Sequence, residues 1–161
     1  MIKSISYFVS RFAVVLFVVM ATVSCENSES PEIGPTIIGE PHIAYRYNST
    51  DYVLIDPITE NTTNKKIDAY IGDGTTLNRV TLYMPLDVNP GTYFITPNPS
   101  DDESYGAYMV LASNGIDILA DSGIIKITSV DEDTIEGTFS FSGMNGSVPV
   151  NVTQGTFSAD Y

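Results

Sequence analysis

A single cysteine, Cys25, stands among 161 residues, with one histidine, no tryptophan, and seven lysines and arginines against twenty aspartates and glutamates. One cysteine excludes an intrachain disulfide and a thiolate metal cluster. One histidine, His42, sits next to Pro41, and the chain has no Gly-x-Ser-x-Gly elbow, so a Ser-His-Asp triad lacks its usual frame. His42 is expected to be partly exposed at the start of the first strand. A formal net charge of −13, scattered cations and no phosphate-cradling glycine loop exclude nucleic acid as a partner. Helical periodicity is also missing beyond the N-terminal segment, which turns the fold expectation toward strands.

What is present begins with a targeting segment. Met1 to Arg11 carries Lys3 and Arg11 and no acid, Phe12 to Ala21 is the unbroken apolar run FAVVLFVVMA, and Thr22-Val23-Ser24 leads into Cys25. That run is shorter than the roughly 20 apolar residues a membrane-spanning helix needs, and it suits a signal peptide comprising residues 1–24. Its removal takes two cations and no acid, leaving a mature charge of about −15. Residues 25–41 continue as ENSESPEIGPTIIGEP after the cysteine, an acidic tether rich in proline and glycine. Residues 42–161 are the size of one domain with one core.

Thr22-Val23-Ser24-Cys25 resembles a bacterial lipobox, in which the cysteine is lipidated and becomes the mature N-terminus; Thr22 departs from it, since an aliphatic residue is usual there. The resemblance implies acyl chains on Cys25 that hold the protein to a lipid bilayer, each buried methylene contributing about 0.8 kcal/mol. The competing reading is ordinary cleavage after Ser24, leaving a free thiol. The acidic residues after Cys25 resemble the surface-export signal of Bacteroidota lipoproteins, which implies the outer membrane without fixing the leaflet.

Short runs rich in Val, Ile, Thr, Tyr and Phe recur between clusters of Gly, Pro, Asn and Asp, and predict an all-β domain. Strands are expected over His42 to Tyr47, Tyr52 to Ile55, Lys66 to Ile71, Arg79 to Pro85, Gly91 to Ile95, Tyr105 to Ala112, Ile124 to Val130, Thr134 to Ser142 and Val148 to Thr153, with a last one from Gly155 to Ala159. Ile135, Phe139 and Phe141 alternate with Glu136, Thr138, Ser140 and Ser142, and Val148, Val150 and Val152 with Pro149, Asn151 and Thr153. Val80, Leu82 and Met84 repeat the rule. Strands with one wet face imply antiparallel pairing. Turn chemistry at Gly72-Asp73-Gly74, Asn89-Pro90-Gly91, Asp131-Glu132-Asp133 and Asn145-Gly146 predicts sequential hairpins. Nine or ten such strands make a two-sheet sandwich or a closed up-and-down barrel.

Gly137-Thr138-Phe139-Ser140-Phe141, followed by Val150-Asn151-Val152-Thr153-Gln154-Gly155-Thr156-Phe157, resembles the C-terminal pattern of uncharacterised Bacteroidota lipoproteins. Pro90-Gly91-Thr92-Tyr93 and Gly123-Ile124-Ile125-Lys126-Ile127-Thr128 fit the same picture, so the likeness covers about the last half of the chain. It implies an envelope β-domain of unknown function and transfers no catalytic or binding residue. Asp133-Thr134-Ile135 also matches the short O-glycosylation motif of Bacteroidota, which makes Thr134 a candidate acceptor. The Asn-x-Ser/Thr sequons at Asn48, Asn61, Asn145 and Asn151 carry little weight in a bacterial protein.

No residue set points to a cofactor. Asp101-Asp102-Glu103, Asp131-Glu132-Asp133 and Glu136 could supply paired carboxylates for glycoside hydrolysis, with Asp102 and Glu136 as the pair, or oxygen ligands for Ca²⁺. Their turn-like setting favours solvated acids, and neither cluster has EF-hand spacing. Ten tyrosines raise the question of a binding surface, with Tyr45, Tyr47 and Tyr52 crowded early and Tyr105 and Tyr108 later. The expected protein is a non-enzymatic, membrane-anchored envelope or surface lipoprotein whose β-domain binds a partner. The alternatives are a lipocalin-like barrel around a small apolar ligand and the glycan hydrolase. An outer-membrane barrel is disfavoured by the lipid anchor and the polar outward faces.

Overall fold

The computed structural model describes residues 39–99 and 104–160. The signal segment, Cys25, nearly all of the tether and the run Asp101-Asp102-Glu103 lie outside the described residues. The domain is all-β and antiparallel, two sheets packed as a sandwich and not closed into a barrel. Its strands are β1 (His42–Tyr47), β2 (Thr50–Ile55), β3 (Ile58–Asn61), β4 (Lys65–Ile71), β5 (Asn78–Met84), β6 (Gly91–Phe94), β7 (Gly106–Leu111), β8 (Ile116–Leu119), β9 (Ser122–Val130), β10 (Thr134–Asn145) and β11 (Val148–Asp160).

One sheet has six strands in the order β2-β1-β11-β10-β9-β6, the other five in the order β3-β4-β5-β7-β8. Sequential hairpins account for part of this: β1 with β2, β3 through β5, β7 with β8, and β9 through β11. The expectation fails where the chain changes sheets. β6 leaves the five-stranded sheet to pair with β9, β7 returns to pair with β5, and β9 crosses back after β8 into the sheet where β11 later pairs with β1. Each crossing lets consecutive segments bury their apolar faces against opposite layers, the arrangement a sandwich requires.

Turn residues set the hairpins. Asn48 and Ser49 both have positive φ (47° and 61°) between Tyr47 and Thr50, the type I′ geometry whose twist matches its strands. Gly146 (φ 64°) opens the two-residue turn between Asn145 and Val148. The expected strands Val148 to Thr153 and Gly155 to Ala159 are one strand, β11, with a bulge. Phe139 faces Gly155 while Phe141 faces Val152, so β11 holds one residue more than β10, and Gln154 (φ 52°) absorbs it. The extra residue switches the inward positions from Val150 and Val152 to Gly155, Phe157 and Ala159. Val148 does not join them; it lies beyond the sandwich at the hairpin tip, 61% exposed.

β3 and β8 were not expected from the sequence. Both have only four residues, and β3 offers one exposed isoleucine. Between the sheets one continuous core joins Ile43, Leu54, Phe139, Phe141 and Phe157 to Ile67, Val80, Leu82, Met109 and Ile118. Each fully buried aliphatic or phenyl side chain contributes about 1.5–3 kcal/mol of hydrophobic stabilisation.

Candidate functional site

The outward face of the five-stranded sheet carries the most organised polar cluster among the described residues. Alternation along β4 sends Ile67 and Ala69 into the core and leaves Lys66, Asp68 and Tyr70 outside; along β5 it leaves Arg79, Thr81 and Tyr83 outside. Register then aligns Ile58, Asp68, Thr81, Tyr108 and Leu119 in one row across five strands, and Tyr70, Arg79, Val110 and Asp117 in the next. Asp68 is 6% exposed although it sits on the outer face. Its Oδ1 accepts from Arg79 Nε (2.8 Å) and Thr81 Oγ1 (2.8 Å), and its Oδ2 from Arg79 Nη2 (2.5 Å).

This bidentate pairing fixes the guanidinium plane and raises the Arg79 pKa. Around it stand Tyr70, 53% exposed, and the half-buried Tyr83 and Tyr108. Burial, and then a hydrogen bond with Asp117, raise the Tyr108 pKa. Lys66 pairs with Glu60 at 3.0 Å and lies 3.8 Å from Asp68. The arrangement is an aromatic platform around a charge-balanced, pre-oriented arginine. It can stack and donate hydrogen bonds without demanding an anionic ligand.

The tyrosines grouped by sequence proximity have other roles. Tyr45 is fully buried and stacks on Tyr52 at 5.1 Å between centroids. Tyr105 is buried and stacks on Tyr93 at 4.1 Å, and burial raises its pKa. Tyr47 packs partly buried against the core, and only Tyr108 reaches the platform. Tyr70, Tyr83 and Arg79 are the members that sequence proximity misses. Their even spacing against the buried odd and even partners of β4 and β5 was the available sign.

His42 is buried, 6% exposed, rather than partly exposed as expected. Its Nδ1 donates to the Glu40 carbonyl at 2.8 Å, and its Nε2 lies 3.4 Å from the Thr156 hydroxyl. With Nδ1 held by a carbonyl, the ring has no carboxylate orienting it as a triad base. Asp131 closes a turn: its Oδ1 accepts from the backbone N–H of Asp133 (3.0 Å) and Thr134 (2.8 Å), and its Oδ2 accepts from Thr134 Oγ1 (2.9 Å). These bonds hold its carboxyl below the usual carboxylate range. Thr134 begins β10 beside that turn with its hydroxyl engaged, and Glu136 is exposed on the outer face of β10. Among the described residues no three His, Cys, Asp or Glu side chains converge on a metal position. Cys25 and Asp102 lie outside the described residues.

Fold and surface together define an antiparallel β-sandwich domain with an ordered tyrosine and arginine platform on one outer face. Residues 57–159 match the family described as a domain of unknown function (DUF6252), more than half of the chain, and the chain belongs to that family. The match takes in β3 through nearly all of β11, while β1 and β2 precede it and complete the six-stranded sheet. No curated protein and no solved structure shows significant similarity to the chain.

Proposed function

We propose that this chain is an exported lipoprotein of the Bacteroidota type, held at the outer membrane through acyl chains on Cys25, and that its sandwich is a non-catalytic interaction module of the cell envelope. The anchor reading is supported by Lys3 and Arg11 ahead of the apolar run and by Cys25 directly after Ser24. The interaction reading is carried by the platform, where Asp68 immobilises Arg79 among Tyr70, Tyr83 and Tyr108. Tyrosine and arginine dominate binding hot spots because they contribute large contacts at low conformational cost, and a pre-oriented arginine lowers that cost further. Thr134 is the proposed acceptor if the domain is O-glycosylated. A barrel around an apolar ligand is not a competing reading, because the sheets do not close.

The test has two parts. Labelled palmitate fed to the host is expected to enter the full chain and to be lost in Cys25→Ala. A photo-crosslinking side chain in place of Tyr70 is expected to give one defined adduct on intact cells that disappears when Arg79→Ala is added. Absence of any adduct, or substrate turnover by the purified chain that a point change abolishes, would reject the module reading.

A further inference from the structure

The opposite outer surface, on the six-stranded sheet, holds a groove of about 520 Å³ crossing β6, β9, β10 and β11. That volume falls within the roughly 300–1,000 Å³ of small-ligand sites. The β11 bulge borders it, with Gln154 and Gly155 along its edge beside Phe139 of β10.

Thr92, Lys126, Thr138 and Thr156 face one another across four strands and line the groove, and Ile124 and Ser140 line it from the next row, which Phe94, paired with Ile124, continues beyond the lining. Phe94 is 75% exposed, the most exposed large hydrophobic side chain among the described residues, and Ile124 beside it is 38% exposed. The hydroxyls of Thr92, Thr138 and Ser140 have no protein partner among the described residues and are free to serve a ligand. Lys126 forms no ion pair there either.

We propose that this groove binds a neutral glycan chain, independently of the tyrosine platform. A sugar ring has apolar C–H faces and a rim of hydroxyls that both donate and accept. The surface repeats that division, with an exposed phenyl and isoleucine next to hydroxyls of the same dual capacity. Charge selects the neutral class: one lysine within a chain of net charge −13 does not hold a polyanion. The row from Thr92 to Thr156 spans three strand spacings, about 14 Å, and therefore accommodates an oligosaccharide rather than one ring. Two apolar side chains are too few to enclose an acyl chain.

The experiment is native affinity electrophoresis of the full chain, solubilised in a detergent without sugar head groups, through gels containing soluble starch, mixed-linkage β-glucan, xylan or mannan. Retardation by at least one polysaccharide is expected, weakened about fivefold or more by Phe94→Ala, retained by Phe94→Tyr, and weakened by Thr138→Val. Ile71→Ala, at an exposed position on the other sheet, leaves it unchanged. Phe94 is mostly solvent-facing, so its truncation leaves the core intact. Migration unaltered in all four gels overturns the proposal, as does retardation that Phe94→Ala and Thr138→Val both leave intact. Capture of a protein through Phe94 without retardation by any polysaccharide overturns it as well.

Discussion

The Tyr45 hydroxyl, on β1 of the six-stranded sheet, donates a 2.7 Å hydrogen bond to Oδ1 of Asn78 on β5 of the five-stranded sheet. Both residues are buried, Tyr45 completely, so this bond ties the two layers where water cannot replace it. Tyr45→Phe removes the donor and leaves the Asn78 carbonyl without it, a loss of about 1–2 kcal/mol measurable by urea unfolding at pH 7.

The same pair sets an alkaline limit. Burial raises the Tyr45 pKa in the fold, against the lowering pull of the Asn78 bond. A group with a raised folded pKa contributes stability that is complete below its unfolded value, near 10, and declines as pH rises above that value toward the folded one. Unfolding free energy is therefore expected to fall from about pH 10 upward, by up to about 1.4 kcal/mol per pH unit for each such tyrosine. Tyr45→Phe flattens part of this decline, and Tyr105, also raised by burial, accounts for a further part. Equal declines in wild type and Tyr45→Phe would assign the effect elsewhere.

Period-two alternation made β10 and the inward face of β5 legible in the sequence, because every second residue faces the core. It broke down at Gln154, where the bulge inverts parity and a single strand reads as two. β8 was hidden differently, since Ile116-Asp117-Ile118-Leu119 alternates correctly but is too short to stand out from its glycine and asparagine flanks. The tyrosine platform was not legible. Tyr70, Tyr83 and Tyr108 are separated along the chain and meet only through the register of β4, β5 and β7, which depends on long-range pairing.

Asp68 and Arg79 should behave as a coupled pair. Removing either leaves the other charge partly desolvated, so Asp68→Ala and Arg79→Ala are each expected to be destabilising, with a double mutant less harmful than the sum. The Arg79 side chain keeps 33% of its exposure, which places the coupling at about 1–2 kcal/mol, below that of a fully buried pair. A double-mutant cycle by urea unfolding measures it, and strict additivity would show that the pair is not a structural unit.

Asp131 holds the β9–β10 turn through three hydrogen bonds from Asp133 and Thr134. Asp131→Ala is expected to lower the thermal midpoint, Asp131→Asn to lower it less by keeping an acceptor, and Asp133→Ala to leave it nearly unchanged. Because the folded Asp131 pKa is depressed, its contribution is present above the unfolded value near 3.9 and is lost as pH falls through the folded value. Thermal scans from pH 7 to pH 2 should show the wild type converging on Asp131→Ala at the acid end; a constant gap would mean that the ionised carboxylate is not what closes the turn.

Gly137, on β10, lies between Ile127 of β9 and Phe157 of β11. A Cβ there would collide with the Lys126 carbonyl oxygen and lie 2.7 Å from the Phe157 ring. The carbonyl belongs to the sheet and cannot swing aside, whereas the ring is held in the core, 2% exposed. Gly137→Ala must therefore push β9 and β10 apart or displace Phe157, an overpacking cost of about 1–3 kcal/mol despite alanine's lower backbone entropy loss. Adding Phe157→Leu relieves the ring contact but not the carbonyl contact, so the double variant should remain below Phe157→Leu alone in urea midpoint. Equal midpoints for those two variants would place the whole restraint at the ring and none at the backbone.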